Sequence, residues 1–346
     1  MLQIKEYDFD DLDTDLNNEI KIVDNLIKDD LIKISRIKII KSFLVDLNKV
    51  VDINSDFSFI KASVSQVQQL KDIDTSIKIN DLRSFNKKLK SLAPYLKRKR
   101  QYKNCTLNNL LEFIFGYHIE DRTQILKRIL RKINNQNCVY CLAQYTTSYG
   151  VNNKKIYVKG TLDHIYPKSL NGLVSLSVNN LVPVCAHCNQ RKSDADKFDF
   201  DFNPFDSSNS PTFNFKNVIE IDNDQVKYKD IEGLTIDDIN PTLESRLQLS
   251  SLYKEYRSPI ENLLERYKKF NSLVYKQNIE NIINKNNNEK NNNGKDNNEL
   301  SVNLEYFISE TPYTSENIQN IPLHKFKSDF YKELEGYKKN GVIKFS

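Results

Sequence analysis

No run of residues in this chain is long and apolar enough to cross a bilayer as a helix, which excludes an integral helical membrane protein. The opening residues, MLQIKEYDFDD, are acidic where a secretory or transit leader would carry basic charge, so the cytoplasm is the expected compartment. Glycine is scarce, 8 of 346 residues, while asparagine is abundant, a bias that reads as an AT-rich coding sequence rather than as chemistry. No internal repeat is present. The five cysteines are an odd number, and four of them form two CxxC pairs, Cys138/Cys141 and Cys185/Cys188. In a reducing compartment that pattern favours a metal site over disulfides and leaves Cys105 as a buried or idle thiol.

A chain of 346 residues has room for two or three compact units. Its net charge of +5 is unevenly spread. Residues 1–20 hold one lysine against seven acidic side chains, a net of −6. Between Arg83 and Lys132, fourteen lysines and arginines face three acids, a net of +11. A basic block larger than the charge of the whole molecule points to a polyanion partner, of which nucleic acid is the commonest, or to solvated helix faces.

Hydrophobic spacing predicts helix over about 19–48 and further helix to about 92, with a break at Pro94 and the run KRKR at 97–100. In EDRTQILKRILRKI, Ile125, Leu126, Ile129, Leu130 and Ile133 share one face, with Lys127, Arg128, Arg131 and Lys132 opposite, an amphipathic helix with a basic outer side. VIEIDNDQVKYK at 218–229 alternates around a turn and predicts a hairpin. Pro241 opens a helix running to about Arg257, and Ser258, Pro259 and Glu261 predict a capping-box start for a second helix with Ile260, Leu263, Leu264, Tyr267 and Val274 on its apolar face. The polar stretch NKNNNEKNNNGKDNNE, 284–299, predicts a flexible linker. A last helix is expected from about Leu323 to Glu335, docking through Leu323, Phe326, Phe330 and Leu334.

The two CxxC pairs, 43 residues apart, supply four thiolates, a closed tetrahedral set for a structural zinc ion. Such binding is worth about 10–16 kcal/mol in small zinc modules and doubles as folding energy. CVYC reads as a knuckle, and CAHC begins a helix along which Cys185, Cys188, Asn189 and Lys192 follow three- and four-residue steps. His187 then reads as an exposed knuckle residue, while the lone His118 and His324 receive no role. Between the pairs lie two strand candidates, about Gly160–Tyr166 and Leu181–Val184, joined by the loop PKSLNGLVSLSVNN. In a regular strand the adjacent Asp163 and His164 would point to opposite faces.

That order of strand, loop, strand and helix, with LDHIYPKS, NNLVPVC and CAHCNQRKSD framed by the outer CxxC, resembles the HNH endonuclease family over about 60 residues. The following KFDFDFNPF resembles the tail of such domains from bacterial defence and mobile-element loci. The resemblance implies an α+β fold, a central ββα-metal core with a four-cysteine zinc site between mostly helical N- and C-terminal regions. It implies hydrolysis of DNA phosphodiester bonds, with His164 as general base and Asn180 fixing the loop and orienting the histidine. Asp163 and Asn189 would hold one Mg²⁺ or Mn²⁺ ion, and Lys168, Arg191 and Lys192 would contact nucleic acid. Asn189 stands where many members carry a second histidine, an HNN pattern. The implied setting is restriction or anti-phage defence, with DNA as substrate and an ATPase or other defence subunit as partner. A zinc module that binds nucleic acid or protein without cutting, and an RNA nuclease, are the competing readings. The expected organisation is a helical region over 1–132, an HNH domain over 133–206, a hairpin with helices over 207–283, the linker, and a C-terminal helical segment over 300–346.

Overall fold

A computed structural model describes residues 7–35, 40–53, 55–81, 103–116, 119–132, 136–152, 155–158, 160–193, 204–205, 212–272, 274–275, 277–278, 281 and 320–344. Among the expected features, Pro94, KRKR, the Asn-rich run, most of KFDFDFNPF, His118 and Ile133 lie outside those residues. Helices and strands are mixed, and contacts divide the chain into two compact units: Gln3–Val139 with Thr146–Ser207, and Tyr140–Tyr145 with Ser208–Ser346.

The first unit opens with α1 (Thr14–Ser35), α2 (Lys41–Val50) and α3 (Val64–Lys71). The stretch expected as one helix over 19–48 is therefore two, each with its own buried stripe: Leu16, Ile20, Val23, Ile27 and Leu31 on α1, and Phe43, Leu44 and Leu47 on α2. Ser63 caps α3 with a complete capping box, its hydroxyl taking the Gln66 amide while Gln66 returns to the Ser63 amide. The helix expected to continue from there gives way to a strand, β1 (Lys78–Asp81), antiparallel to β2 (Lys103–Thr106). Short β-branched runs such as IKI pair across a sheet more readily than they form an isolated helical turn.

Next come α4 (Leu107–Phe115) and α5 (Glu120–Lys132). Leu107, Leu110, Leu111, Phe113, Ile114 and Phe115 are all buried, so α4 is a core helix with little solvent face. Gly116 ends it in the left-handed conformation, and the Arg122 guanidinium donates to the last carbonyls, Ile114 and Phe115, closing groups a helix end leaves unpaired. On α5, Ile125, Leu126 and Ile129 are buried as the spacing predicts. Its basic side is not wholly open, because Arg128 pairs with Glu19 of α1.

The strands β3 (Ser148–Asn152) and β4 (Lys155–Val158) form one hairpin, and β5 (Thr161–His164) pairs antiparallel with β6 (Leu181–Val184), placing Asp163 opposite Val182 and His164 opposite Leu181. Helix α6 (Ala186–Ser193) follows directly. The β5–β6 connection contains two 3₁₀ turns, Gly172–Val174 and Val178–Asn180, and is bolted to the N-terminal helices. The Asn171 amide donates to the carbonyls of Leu70, Lys71 and Ile73, at 3.0, 3.0 and 3.2 Å. Asn108 donates to Ser169 O at 2.8 Å and accepts from Gly172 N at 2.5 Å. Asn179 donates to Ala62 O and accepts from Tyr7 N. A Cβ on Gly172 would stand 2.6 Å from the Glu112 amide nitrogen, so only glycine lets the loop lie this close to α4.

In the second unit β7 (Thr212–Asn214) pairs with β10 (Thr235–Asp237), and the predicted hairpin is β8 (Ile219–Asp222) with β9 (Gln225–Tyr228). Asn223 and Asp224 both have positive φ, 50° and 63°, which gives a two-residue turn of the kind that matches strand twist. The helix expected from Pro241 to Arg257 is two, α7 (Pro241–Leu247) and α8 (Leu249–Lys254), broken where Gln248 turns left-handed at φ 51°. Asn240 caps α7 through the amides of Thr242 and Leu243. Helix α9 (Arg257–Asn271) starts one residue before the predicted Ser258 cap, and no side chain caps it. Ile260, Leu263, Leu264 and Tyr267 are buried as expected, but Val274 lies beyond the helix and is 68% exposed. The last helix, α10 (His324–Lys339), docks through Phe326, Phe330 and Leu334, with Phe326 and Phe330 set against Phe213, Phe215 and Tyr253. Leu323 sits just outside it in the left-handed conformation rather than on the buried stripe. None of the described helices is long and apolar enough to cross a membrane.

Candidate metal and active site

The sulfurs of Cys138, Cys141, Cys185 and Cys188 lie within 4.8 Å of one another, and all four residues are buried. A tetrahedral ion with Zn–S bonds of about 2.3 Å needs sulfurs about 3.8 Å apart, so the thiols fit zinc without ligands from elsewhere. Local pairing sets them in place. The Val139 amide, inside the first CxxC, donates to Pro183 O on β6 at 3.2 Å. At the start of α6 the Cys188 amide points at Cys185 Sγ, 3.5 Å away, as amides do around a thiolate that accepts N–H bonds. On the knuckle, the Tyr253 hydroxyl donates to Cys141 O and the Leu323 amide to Leu142 O. Leu142 has a φ of 53°, an uncommon conformation for a branched residue, and this contact holds its carbonyl. Cys105 is buried away from the cluster, and His187 is exposed.

Strand alternation sends Asp163 and His164 to different neighbours. His164 is only 9% exposed, and its Nε2 lies 3.0 Å from Ser175 O in the β5–β6 loop. A carbonyl can only accept, so Nε2 carries the proton and the lone pair of the neutral ring sits on Nδ1. Burial pushes the imidazole down to about 4, outweighing the Ser175 bond and the Asp163 charge, which both act upward. The ring is thus enclosed and held neutral.

Asn180 ties this geometry together. Its amide donates to Tyr166 O at 3.1 Å and Val174 O at 3.0 Å, its side-chain oxygen accepts the Tyr166 amide at 2.8 Å, and its own carbonyl takes the Ile165 amide. It thus joins the end of β5 to the segment that presents the Ser175 carbonyl.

Asp163 turns toward α6. Its carboxylate receives the Lys192 ammonium at 2.5 Å, and the same amine also reaches the carbonyls of His164 and Ile165. Burial lowers the Lys192 pKa while Asp163 raises it. With 6% of its side chain exposed, Lys192 serves the strand end instead of the expected nucleic-acid phosphate. Asn189 lies on the same helix, half-buried, one residue past Cys188, and Lys168 and Arg191 are half-buried as well. The strand carboxylate and the helix amide are hard oxygen donors of the type that takes magnesium, so the donor chemistry fits such an ion.

Sequence reasoning missed Ser175, which acts through its main chain and leaves no side-chain signal, and the buried Asn108, Asn171 and Asn179, hidden in an Asn-rich chain.

Comparison with curated proteins and with solved structures finds no match. The stretch that holds all four thiols, the Asp163–His164 pair, Asn180 and the helix of Asn189, residues 138–195, matches the family model of the HNH endonuclease.

Proposed function

We propose that the chain is a metal-dependent endonuclease that hydrolyses DNA phosphodiester bonds, with residues 133–206 as its cutting domain. One juxtaposition carries the reading: inside the matched segment, a zinc-fit set of four thiols frames a hairpin whose first strand ends in Asp163 and His164 and whose following helix bears Asn189. In this reading His164, neutral at physiological pH, accepts the proton of the attacking water on Nδ1 while Nε2 stays bonded to Ser175 O. Asn180 positions the ring by holding the loop. Asp163 and Asn189 would hold Mg²⁺ or Mn²⁺, whose charge, when bound, stabilises the phosphorane oxygens and the leaving 3′ oxygen. Lys168 and Arg191 steady the backbone phosphates. Zinc is structural, since four cysteines leave it no open position. We assign the protein to the cytoplasm, where thiols stay reduced, and to restriction or anti-phage defence beside an ATPase or other defence subunit.

The test is a plasmid and an RNA of similar length incubated with the zinc-loaded chain and Mg²⁺ or Mn²⁺. Metal-dependent nicking of the plasmid, lost in His164→Ala, is the expected result; cutting of RNA alone would make it a ribonuclease. A second reading, a zinc module that binds nucleic acid or protein without cutting, draws on the enclosure of His164 and the pairing of Asp163 with Lys192. Plasmid that stays supercoiled and RNA that stays whole, with either metal, decide for it.

A further inference from the structure

The amine of Lys192 is a buried cation, and its surroundings resemble those of a metal ion. A lysine ammonium has three N–H donors and no acceptor. Three oxygens from consecutive residues meet it: a carboxylate oxygen of Asp163 at 2.5 Å, the carbonyl of His164, and the carbonyl of Ile165 at 3.4 Å. One carboxylate with two carbonyls is a set of hard oxygens, the kind that binds magnesium or manganese. Lys192 stands four residues past Cys188 and three past Asn189, so the helix that the thiol cluster anchors also delivers the amine to the end of β5.

We propose that Lys192 is the resident cation of the Asp163 carboxylate, a positioning residue that fixes the strand end and keeps the divalent-metal affinity of the site low. The inference rests on the reading of Asp163 as a metal ligand. An ammonium at 2.5 Å offsets the charge that would attract a dication and repels the dication itself. The same three bonds hold the peptide of His164, so the ring and the carboxylate are set by one group. Metal loading is then coupled to nucleic acid, whose phosphates bring further oxygens and negative charge to the ion.

The experiment measures Mn²⁺ binding to the zinc-loaded full-length chain without nucleic acid, by the electron paramagnetic resonance signal of free Mn²⁺. Lys192→Met and Lys192→Gln bind Mn²⁺ about tenfold more tightly than wild type or better, Lys192→Arg stays near wild type, and Asp163→Asn binds more weakly than wild type. Unchanged or reduced affinity in the Met and Gln chains, with wild type still binding through Asp163, overturns the inference and leaves the metal reading standing. If neither wild type nor any Lys192 variant binds Mn²⁺, the reading of Asp163 as a ligand falls, and the inference with it. Should both neutral variants fail to fold, the wild-type chain answers through the nitrogen-15 signal of the buried Lys192 ammonium. That signal shifts as Mg²⁺ is added; an unmoved signal in a chain that binds Mg²⁺ overturns the inference.

Discussion

The Nε2 atom of His164 is held 3.0 Å from the main-chain oxygen of Ser175, eleven residues further along the chain. That one contact fixes the tautomer, leaves the basic lone pair on Nδ1, and places the ring under the β5–β6 loop rather than on an open surface. Its consequences separate into effects on rate and on stability.

For rate, loss of a positioned general base costs typically 10²- to 10⁴-fold. His164→Ala is expected to reduce plasmid nicking by about that factor, with zinc content unchanged by metal analysis. Nicking within tenfold of wild type would remove His164 from the mechanism.

For stability, the sign follows from a histidine whose folded pKa, about 4, lies below its unfolded value near 6.5. Between those limits the unfolded chain binds the proton and the folded chain does not, so stability is full above about pH 6.5 and falls as pH drops toward 4. The loss amounts to roughly 3 kcal/mol for this one group. Urea unfolding at a series of pH values should show it, and His164→Gln should flatten the slope over that window.

Zinc removal is expected to unfold the segment around the thiols. Wild type should carry one equivalent of zinc, and a strong chelator or Cys138→Ser should release it and lower the melting temperature by well over 10 °C, given the roughly 10–16 kcal/mol such ions contribute in small modules. Cys105→Ser should retain the metal, because Cys105 lies outside the cluster. A chelated chain that melts at the wild-type temperature would show that the thiols alone hold the knuckle.

Asn171 satisfies three carbonyls at the end of α3. Asn171→Ala leaves buried acceptors without donors and should cost about 1–3 kcal/mol in urea unfolding. Asn171→Asp should cost more, since a carboxylate would face three carbonyl oxygens. Equal stability of the two variants would mean that the loop can leave α3.

Gly172→Ala places a methyl 2.6 Å from the Glu112 amide nitrogen and 3.0 Å from Leu111. Both neighbours belong to the buried helix α4, so the loop must move instead, at a cost of about 1–3 kcal/mol. Because Ser175 rides on the same loop, nicking should fall further than the loss of folded chain explains, measured at a temperature where the variant is fully folded.

Much of the centre of this molecule was legible in the sequence, because its signals are local. Two CxxC pairs declare a thiol cluster, the stretches around LDH and LVPV read as strands, and CAHCNQRK keeps a helical step; the cluster, the hairpin and the helix lie where those patterns put them. The flanks read less well. IKIND near position 80 carries as much helical as strand signal until β2 is there to pair with it, and the break at Gln248 depends on a left-handed turn that glutamine does not announce. Ser258 has the right neighbours for a cap, yet the chain turns helical one residue too early to use it.

The amino-acid sequence by itself determined the ligand set, the order of strand, loop, strand and helix, and the identity of the acid, the imidazole and the amides between the cysteines, since each is written within a few residues of its neighbours. Tertiary structure alone decided where those groups face. Tyr7 meets Asn179, and Asn171 meets Leu70, about 100 positions or more apart, and those contacts bury the loop that covers His164. Likewise Lys192, which composition marks as one more surface cation, turns inward because a carboxylate and two carbonyls at the end of β5 satisfy all three of its protons there. Burial and hydrogen-bond partners are properties of what packs around a residue, and a linear pattern carries no record of them.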